Sequence, residues 1–499
     1  MEPRTLAHVL ADATSPEPAV VADAGAVTIS YRDLDDQVER LAETLRRTDL
    51  RPGAAVALVL PNGIEFLVLL LALARAELVA APLNPAYSAQ ELRALIVELE
   101  AGAVVAGSDA VVREAVAETA IPIWTASISA SGVVDLAGVR ASAPGGLDAP
   151  DADAVAIYLH TSGTEGRPKV VPLTHANVLI SAQNIAAHYA LTAADRSLAV
   201  LPFFHGHGLI GVALSTLASG GAVIVSPRFS ASRFWASFHE HRATWYSAVP
   251  TIHQILLERA DANGAPHMGA RFIRSCSAAL APVVLAALER RFGTPVIEAY
   301  GITEAGHQVA SNPLPPHERK AGTVGPGVGA EIAIVDPGGR HRPRGTSGEV
   351  IVRGPAVMHA YRDNRTADAA AFIGGWFRTG DIGALDEDGY LTVSGRMKEM
   401  INRGGEKIAP LAIDNVLLAH PAVAEAAAFG VPDPKYGEVV EAVVVLKRDA
   451  EVEELRAFCR ERLAEFEVPT MIRIVSAIPR NAMGKVERRA LATLYPLTS

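Results

Sequence analysis

The sequence predicts an α/β protein with largely parallel sheets, a small β-rich subdomain and a C-terminal α+β domain. Ala-rich helical patterns alternate with short Val- and Ile-rich runs over the N-terminal part, which is typical of α/β folds. After about Pro326 short strands follow one another between Gly-containing turns, and after Arg396 helical and strand patterns mix. The 499 residues, 49% of them hydrophobic, suffice for a large core and exclude a disordered chain.

The predicted α/β core covers residues 1–325. Its clearest strands are short apolar runs bounded by Gly or Pro, at Ala55–Leu60, Ala103–Ala106 and Ala222–Val225. A helical pattern, Gly63–Ala76, lies between the first two of them. The stretch Ser129–Asp153 is rich in Ala, Gly, Ser and Pro, and we interpret it as a surface connection.

Two smaller units complete the predicted architecture. The β-rich subdomain, residues 326–395, contains three predicted strands separated by Gly-containing turns: Glu331–Val335, Gly348–Val352 and Tyr390–Val393. The C-terminal domain, residues 396–499, contains a predicted helix, a strand and a second helix: Pro410–Leu418, Val439–Leu446 and Val452–Phe466.

The composition restricts which binding partners and which cellular compartment we expect for this protein. The net charge is −10, whereas nucleic-acid binding needs a clustered basic surface, so nucleic acid is not the expected partner. The two cysteines, Cys276 and Cys459, are too few for a disulfide framework or a zinc motif. Charged residues, prolines and glycines interrupt the apolar stretches, so no membrane span is expected. These features together lead us to expect a cytoplasmic protein.

The strongest local motif runs from Tyr158 to Lys169, with the sequence YLHTSGTEGRPK. A predicted strand, Ala154–Leu159, leads into a loop of hydroxyl-bearing residues and glycines that ends in a lysine. Such a loop can direct backbone amides, hydroxyl groups and one cation at the oxygens of an oligophosphate, although its spacing differs from that of the Walker motif. The candidate phosphate ligands are Thr161, Ser162, Gly163, Thr164, Gly166 and Lys169.

This motif resembles the phosphate loop of the adenylate-forming acyl-CoA synthetases, a superfamily that includes luciferases and nonribosomal-peptide adenylation domains. Two positions depart from the family pattern, because Glu165 stands where Thr is usual and Val170 where Gly is usual. The resemblance implies that the chain activates a carboxylic acid with ATP and Mg²⁺ and transfers the acyl group to coenzyme A. The expected partners are therefore small molecules, and no oligomeric state is implied.

Further motifs resemble the nucleotide-binding segments of the same family. In the segment YGITE, Tyr300 is expected to stack on adenine, Thr303 to lie near the phosphates and Glu304 to hold Mg²⁺. In the segment WFRTGD, Asp381 is expected to accept hydrogen bonds from the ribose hydroxyls, and Arg396 to reach the same sugar. One more wall of the adenine pocket is expected at Ser277 and Ala278.

The C-terminal domain carries the motifs that the family uses in its conformational change. Lys398 occupies the hinge position, and Gly404 and Gly405 would line the path of the pantetheine arm of CoA. Near the end of the chain, the segment PRNAMGK resembles the loop with the catalytic lysine, here Lys485. The resemblance implies that this small domain rotates between adenylation and thioester formation. It assigns catalytic roles to Lys485, His205, Thr303 and Glu304.

A cluster of polar residues in the expected acyl site indicates a short, polar acid. His205 and His207 lie in the segment LPFFHGHG, Ser277 in SCSAAL and His307 just after YGITE. A fatty-acyl tunnel would need apolar and small residues there, whereas a dicarboxylate needs hydroxyl and imidazole donors. The surrounding segments resemble those of oxalate–CoA ligases. Malonate ligases carry Arg just before the motif Tyr, where this chain has Ala299, so oxalate is the expected acid.

Three alternatives stay open at the level of the sequence. One is another short- or medium-chain acyl-CoA synthetase, and a second is a freestanding adenylation module that loads a carrier protein. The third is a degenerate nucleotide-binding scaffold. Against that last alternative, the chain retains the charged residues that the chemistry needs: Lys169, Glu304, Asp381, Arg396 and Lys485.

Overall fold

The computed structural model describes residues 5–10, 12–23, 27–140, 150–161, 169–263, 268–480 and 486–495. Five residues of the predicted site lie outside these ranges: Ser162, Gly163, Thr164, Gly166 and Lys485. Glu165, one of the two departures from the family pattern, lies outside them as well. Among the described segments, no helix combines the length and the hydropathy that crossing a membrane requires.

The first sheet of the α/β part has eight strands, and its interior pairs are all parallel. The pairs at both edges are antiparallel. In spatial order the strands are His307–Ser311, Val296–Ile302, Phe272–Ser275, Trp245–Ala248, Arg196–Ala199, Ala222–Val225, Pro18–Ala22 and Thr28–Ser30. Because parallel strands end at the same edge of a sheet, the segments that follow them are brought together there.

The second sheet has seven strands and the same plan, with a parallel interior between antiparallel edges. In spatial order the strands are Val134–Ala137, Ile123–Ile128, Ala103–Ala106, Ala55–Val59, Val79–Pro82, Val155–His160 and Val170–Thr174. Three neighbouring interior strands are buried along their whole length, because a parallel sheet is covered on both faces. The predicted α/β class with largely parallel sheets is confirmed.

Helices pack against both sheets. The helix Ile64–Arg75 contacts strands of both, and all of its residues from Phe66 to Ala74 are buried. A helix that is apolar all round is typical of such a central position. The other helices of this part are Leu6–Val9, Tyr31–Arg46, Ala89–Glu98, Ala110–Val116, His175–His188, Gly206–Gly208, Leu209–Leu214, Ser215–Ala218, Phe234–Glu240, Pro250–Asn263, Pro282–Phe292 and Thr303–Ala305.

The β-rich subdomain is a five-stranded antiparallel sheet. Its strands are Glu331–Val335, Gly348–Arg353, Phe372–Ile373, Trp376–Leu385 and Leu391–Arg396, and its one described helix is Arg365–Ala371. Buried side chains of this sheet, among them Ile334, Val350 and Phe377, belong to the same hydrophobic cluster as the α/β core. The subdomain is therefore packed onto the α/β part.

The C-terminal part forms an α+β unit of its own. Its strands are Ile401–Arg403, Glu406–Ile408, Val423–Asp433, Gly437–Leu446 and Met471–Ile474, and its helices are Met397–Glu399, Pro410–Leu418, Val452–Arg460 and Arg488–Leu494. Two clusters of buried apolar side chains, as far as the described residues show them, contain only residues from Ile401 onward. Because Leu391–Arg396 completes the preceding sheet, we propose the domain boundary at residue 396.

Two details of the sequence interpretation are wrong. The stretch Ser129–Asp153 contains the strand Val134–Ala137, which pairs antiparallel with Ile123–Ile128. Small and polar neighbours obscured this strand, which needs only one partner because it lies at a sheet edge. The helix predicted to end at Phe466 ends at Arg460, where the chain continues as a turn.

Candidate active site

Two hydrogen bonds hold the ends of the phosphate loop together. The Thr161 amide donates to the Lys169 carbonyl at 3.0 Å, and the Lys169 amide donates to Thr161 Oγ1 at 3.0 Å. The flanking strands, Val155–His160 and Val170–Thr174, form an antiparallel pair at the edge of the seven-stranded sheet. Val170, one of the two departures from the family pattern, is buried in the core beside this sheet. Its larger side chain therefore contributes to packing.

The side chains of Lys169 and Glu304 meet at Tyr361. The Lys169 ammonium lies 4.6 Å from the centroid of the Tyr361 ring, whose hydroxyl donates to Glu304 Oε1 at 2.6 Å. Burial, and after it the charge of Glu304, raises the pKa of Tyr361, so the phenol stays protonated and can donate. A cation and a carboxylate that contact the same tyrosine suit a polyphosphate and its metal ion. Tyr361 has no role in the sequence interpretation.

Asp381 joins two of the predicted adenosine-binding residues. One of its carboxylate oxygens accepts a hydrogen bond from Tyr300 Oη, and the other lies 2.8 Å from Arg396 Nε. Asp381 and Arg396 are register partners on adjacent strands of the β-rich subdomain, whereas Tyr300 belongs to the eight-stranded sheet. The site therefore lies where the subdomain meets the α/β core.

Ala278 and Thr303 follow two adjacent parallel strands, Phe272–Ser275 and Val296–Ile302. Ligands of α/β proteins bind in the crevice beyond the carboxyl ends of such strands. The position of both residues agrees with the predicted adenine and phosphate contacts, which stay predictions.

Three of the four predicted acyl-site residues are in direct contact. His207 Nδ1 lies 2.8 Å from Ser277 Oγ, and the ring of His207 stacks on that of His307 with the centroids 4.8 Å apart. Both imidazoles are buried, with 6% and 5% of their residue surface exposed. The fourth residue, His205, is half-buried at the N-cap of the helix that begins at Gly206. The fold thus brings residues from three separate segments into one polar cluster, whose two imidazoles are buried.

A buried arginine supports this cluster. Arg274 lies on the strand Phe272–Ser275 and exposes none of its surface. Its Nε donates to Tyr189 Oη at 3.0 Å, and its Nη2 donates to Gln308 Oε1 at 2.8 Å. The sequence interpretation assigns Arg274 no role. The available signal was a charged residue within a central parallel strand, whose two faces are both covered.

The guanidinium of Arg274 also reaches both histidines of the cluster. It donates to His307 Nε2 at 2.8 Å and to Ser247 Oγ at 3.1 Å. Ser247 Oγ lies 2.6 Å from His207 Nε2. Because Nε2 of His307 accepts a hydrogen bond from a group that can only donate, this nitrogen carries no proton. The arginine therefore orients one imidazole directly and the other through a hydroxyl.

Unusual backbone conformations accompany this cluster. Ser277 has φ +71° and His307 has φ +102°, a region that costs non-glycine residues about 1–3 kcal/mol each. The helical segment Leu209–Leu214 has π geometry, which is frequent at functional sites. A Cβ on Gly211 in this segment would lie 2.6 Å from the His307 ring, so a glycine is needed there.

The same cluster contains a group of potential metal ligands. Among the described residues, His207, Cys276 and His307 have ligand atoms within 4.8 Å of one another. Arg274 donates to His307, and two serine hydroxyls bond to the nitrogens of His207. A metal cation would have to displace these bonds beside a guanidinium, so the cluster suits an anion better.

The predicted hinge and pantetheine residues lie on the surface of the C-terminal domain. Lys398 is exposed on the short helix Met397–Glu399. Gly404 and Gly405 form the exposed tip of a two-residue hairpin, with φ values of +62° and +99° that favour glycine. A Cβ on Gly405 would meet none of the described atoms within 4 Å. This tip is therefore open to a partner.

Comparisons with known proteins extend over the whole chain. The AMP-binding enzyme family matches residues 9–362, and the AMP-binding enzyme C-terminal domain matches residues 412–485. The chain is 44% identical to the oxalate–CoA ligase of Arabidopsis thaliana, over 99% of both chains. It is 38% identical to the sulfoacetate–CoA ligase of Cupriavidus necator, over 93% of this chain and 92% of the other.

A solved structure has the same fold over the same length. The crystal structure of ATP-bound MatB from Rhodopseudomonas palustris superposes with a TM-score of 0.89, at 31% identity and 99% coverage of both chains. The family resemblance expected from the motifs is confirmed. The chain belongs to the AMP-binding enzyme family, as an AMP-forming acid–CoA ligase that works through an acyl-adenylate.

Proposed function

We propose that the acid activated by this ligase is oxalate. The observation that carries the proposal is the polar cluster at the predicted acyl position, in which buried His207 and His307 contact each other and half-buried Ser277 bonds to His207. In a closed site the second carboxylate of oxalate loses its water, which costs several kcal/mol unless donors replace it. A fatty-acyl chain would place apolar surface against these polar groups and offer them no hydrogen bond.

Two relatives of this chain are named for the acids oxalate and sulfoacetate, and these names support a small substrate with two anionic groups. Oxalate and sulfoacetate each carry a second anionic group close to the reacting carboxylate. Sulfoacetate is longer by a methylene and ends in a bulkier sulfonate. We prefer oxalate because the relative named for it shares 44% of its sequence, against 38% for the other, and covers 99% of this chain, against 93%.

In the first half-reaction, an oxygen of the acid attacks the α-phosphorus of ATP and the bond to pyrophosphate breaks. Negative charge accumulates on the phosphoryl oxygens, so catalysis requires cations and fixed donors more than a protein nucleophile. We assign Lys485 to the α-phosphate and the attacking carboxylate. The phosphate loop would hold the remaining phosphates through Thr161, Ser162, Gly163, Thr164, Gly166 and Lys169.

The adenosine end of ATP would occupy the crevice beside Tyr300, Ser277 and Ala278. The ribose hydroxyls would donate to Asp381, in exchange for its present bonds to Tyr300 and Arg396. Arg396 would then turn toward the sugar. Such an exchange conserves the number of hydrogen bonds that the buried carboxylate accepts.

Glu304 is the residue that fits a magnesium ion. A hard cation prefers carboxylate and phosphate oxygens, and Glu304 and Thr303 lie in the short helix that follows the Tyr300 strand. When bound, the ion would neutralise charge on the phosphate oxygens. The hydroxyl of Tyr361 holds the Glu304 carboxylate in place at 2.6 Å.

In the second half-reaction, the CoA sulfur attacks the acyl carbon, the bond to the phosphoryl oxygen breaks and AMP leaves. We propose that Lys398 is the hinge that presents Gly404 and Gly405 to the pantetheine arm at this stage. His205 would lie beside the acyl carboxylate and the thioester path. We expect both half-reactions to take place in the cytoplasm.

A panel of acids assayed for CoA- and ATP-dependent release of AMP tests this proposal. The panel contains oxalate, sulfoacetate, malonate and butyrate. We expect the highest kcat/KM for oxalate. A preference for sulfoacetate would mean that the substrate is still an acid with two anionic groups, but that it is not oxalate. A preference for butyrate would replace the proposal by a short- or medium-chain acyl-CoA synthetase.

A further inference from the structure

Arg274 is a buried cation whose hydrogen-bond partners in the described part of the chain are all neutral. They are Tyr189 Oη, Ser247 Oγ, His307 Nε2 and Gln308 Oε1, at 2.8–3.1 Å. A guanidinium stays charged in a protein. Burying a charge without a counter-charge is costly, and the hydrogen bonds of neutral partners recover only part of that cost.

The location of this charge indicates what compensates it. Arg274 contacts His307 directly and His207 through Ser247, so its positive potential reaches both stacked imidazoles. An anion bound beside the imidazoles would accept hydrogen bonds from the cluster and would also be attracted by the guanidinium, since the low dielectric of the interior strengthens that attraction. A neutral group in the same place would gain only the hydrogen bonds.

We propose that Arg274 is a positioning residue that makes the acyl pocket select acids with a second negative charge. It acts through His307 and Ser247 and does not itself touch the acid. This inference rests on the proposed function of the same pocket. It identifies Arg274 as the positive charge by which the pocket would distinguish a dianionic acid from a monocarboxylate of the same size.

Gln308 offers a way to cancel this charge without removing the arginine. Its Oε1 accepts hydrogen bonds from Arg274 at 2.8 Å and from Tyr189 Oη at 3.0 Å, while its Nε2 has no described partner. Gln308→Glu keeps the size and both accepted bonds, and it places a carboxylate against the guanidinium. The pocket would then be electrically neutral before the acid binds.

The experiment compares oxalate with oxamate, in which a neutral amide replaces the second carboxylate at nearly the same shape. Acid-dependent ATP–pyrophosphate exchange gives kcat/KM for each acid. In the wild type we expect oxalate to be preferred. In Gln308→Glu we expect the oxalate:oxamate ratio to fall by about 10-fold or more, because the added carboxylate offsets the attraction of the guanidinium for the second negative charge of the acid. Gln90→Glu, which adds the same charge at an exposed position, should leave the ratio unchanged.

A second pair of variants tests the proposal if the Gln308→Glu protein does not fold. Arg274→Lys keeps the charge and should keep the ratio within about threefold, even if the overall rate falls, whereas Arg274→Gln should lower it by about 10-fold or more. A purely structural role for the arginine predicts equal losses with both acids.

The outcomes separate the two proposals. If folded Gln308→Glu, or folded Arg274→Gln, keeps the wild-type ratio while the wild type prefers oxalate, the role of Arg274 is wrong and the oxalate function stands. If the wild type prefers butyrate to oxalate, both proposals are wrong.

Discussion

The proposed acyl pocket and the proposed C-terminal domain present their candidate functional residues in opposite ways. His207 and His307 are buried, stacked on each other and bonded to groups that lie on interior strands. Lys398, Gly404 and Gly405 are exposed on a short helix and a hairpin tip. Substrate choice benefits from fixed dipoles, whereas serving two half-reactions in turn requires surfaces that can change partners.

The largest effect should come from Lys485, which we propose serves the first half-reaction only. Lys485→Ala should lower the rate of adenylation by at least about 100-fold, because it removes a charge contact made in the transition state. It should leave CoA attack on a supplied acyl-adenylate largely intact. ATP–pyrophosphate exchange and thioester formation from the adenylate measure the two steps separately.

The matched control for this variant is Lys447→Ala, an exposed lysine of the same domain. It should leave both half-reactions unchanged. Equal loss of both steps in Lys485→Ala would contradict the assignment and would remove the distinction between the two regions.

The hinge variant should have the complementary effect. Lys398→Pro fixes φ near −65° and so restricts the dihedral change that a hinge must absorb. Pyrophosphate exchange should survive, while thioester formation and overall turnover fail. Lys398→Ala, which leaves φ free, should retain overall turnover. Full turnover by the proline variant would show that the domain rotates elsewhere.

A variant of the buried pocket should affect the acid and spare the second half-reaction. Ser277→Ala removes the hydroxyl that lies 2.8 Å from His207 Nδ1. We expect kcat/KM for oxalate in the exchange assay to fall by about 10-fold, the cost of roughly 1.5 kcal/mol for one lost hydrogen bond. Thioester formation from supplied adenylate should change less. A loss confined to thioester formation would instead assign Ser277 a role in the second half-reaction.

The smallest effect concerns stability. Burial raises the pKa of Glu298 from 4.5 to about 7, and one of its oxygens accepts a hydrogen bond from the Gly322 amide at 3.0 Å. Because the folded-state pKa is the higher one, this residue favours folding most below pH 4.5, and that contribution is lost as the pH rises through about 7.

Glu298→Gln should therefore flatten the pH dependence of the free energy of unfolding. Between pH 5 and pH 8 the variant should gain about 1–3 kcal/mol relative to the wild type. Urea unfolding at the two pH values measures this difference. Parallel profiles would mean that Glu298 titrates normally in the folded protein.

The sequence predicts the fold well where local patterns and tertiary packing agree. The strands Ala103–Ala106 and Ala222–Val225 and the helix Pro410–Leu418 have the expected bounds, because Gly and Pro interrupt clear apolar patterns there. The strand Val134–Ala137 escaped prediction because an edge strand with polar neighbours has a weak pattern.

The residues of the candidate site differ in the same way: some are predicted by local motifs, whereas others depend on tertiary packing. Motifs predict residues that would touch nucleotide or acid, and the structure brings His207, Ser277 and His307 together. Arg274 and Gln308 escaped prediction because their importance depends on which side chains from other strands surround them. Short motifs do not contain that information.

The most direct test of the account is the ratio of oxalate to butyrate activity in the wild type and in His307→Ala. The account predicts that the wild type prefers oxalate. His307→Ala should lower kcat/KM for oxalate by about 10- to 150-fold, the equivalent of roughly 1.5–3 kcal/mol for a hydrogen bond to a charged group. Activity with butyrate, which has no second charge, should change far less or rise. A wild type that prefers butyrate, or a ratio that the substitution leaves unchanged, would contradict the central claim.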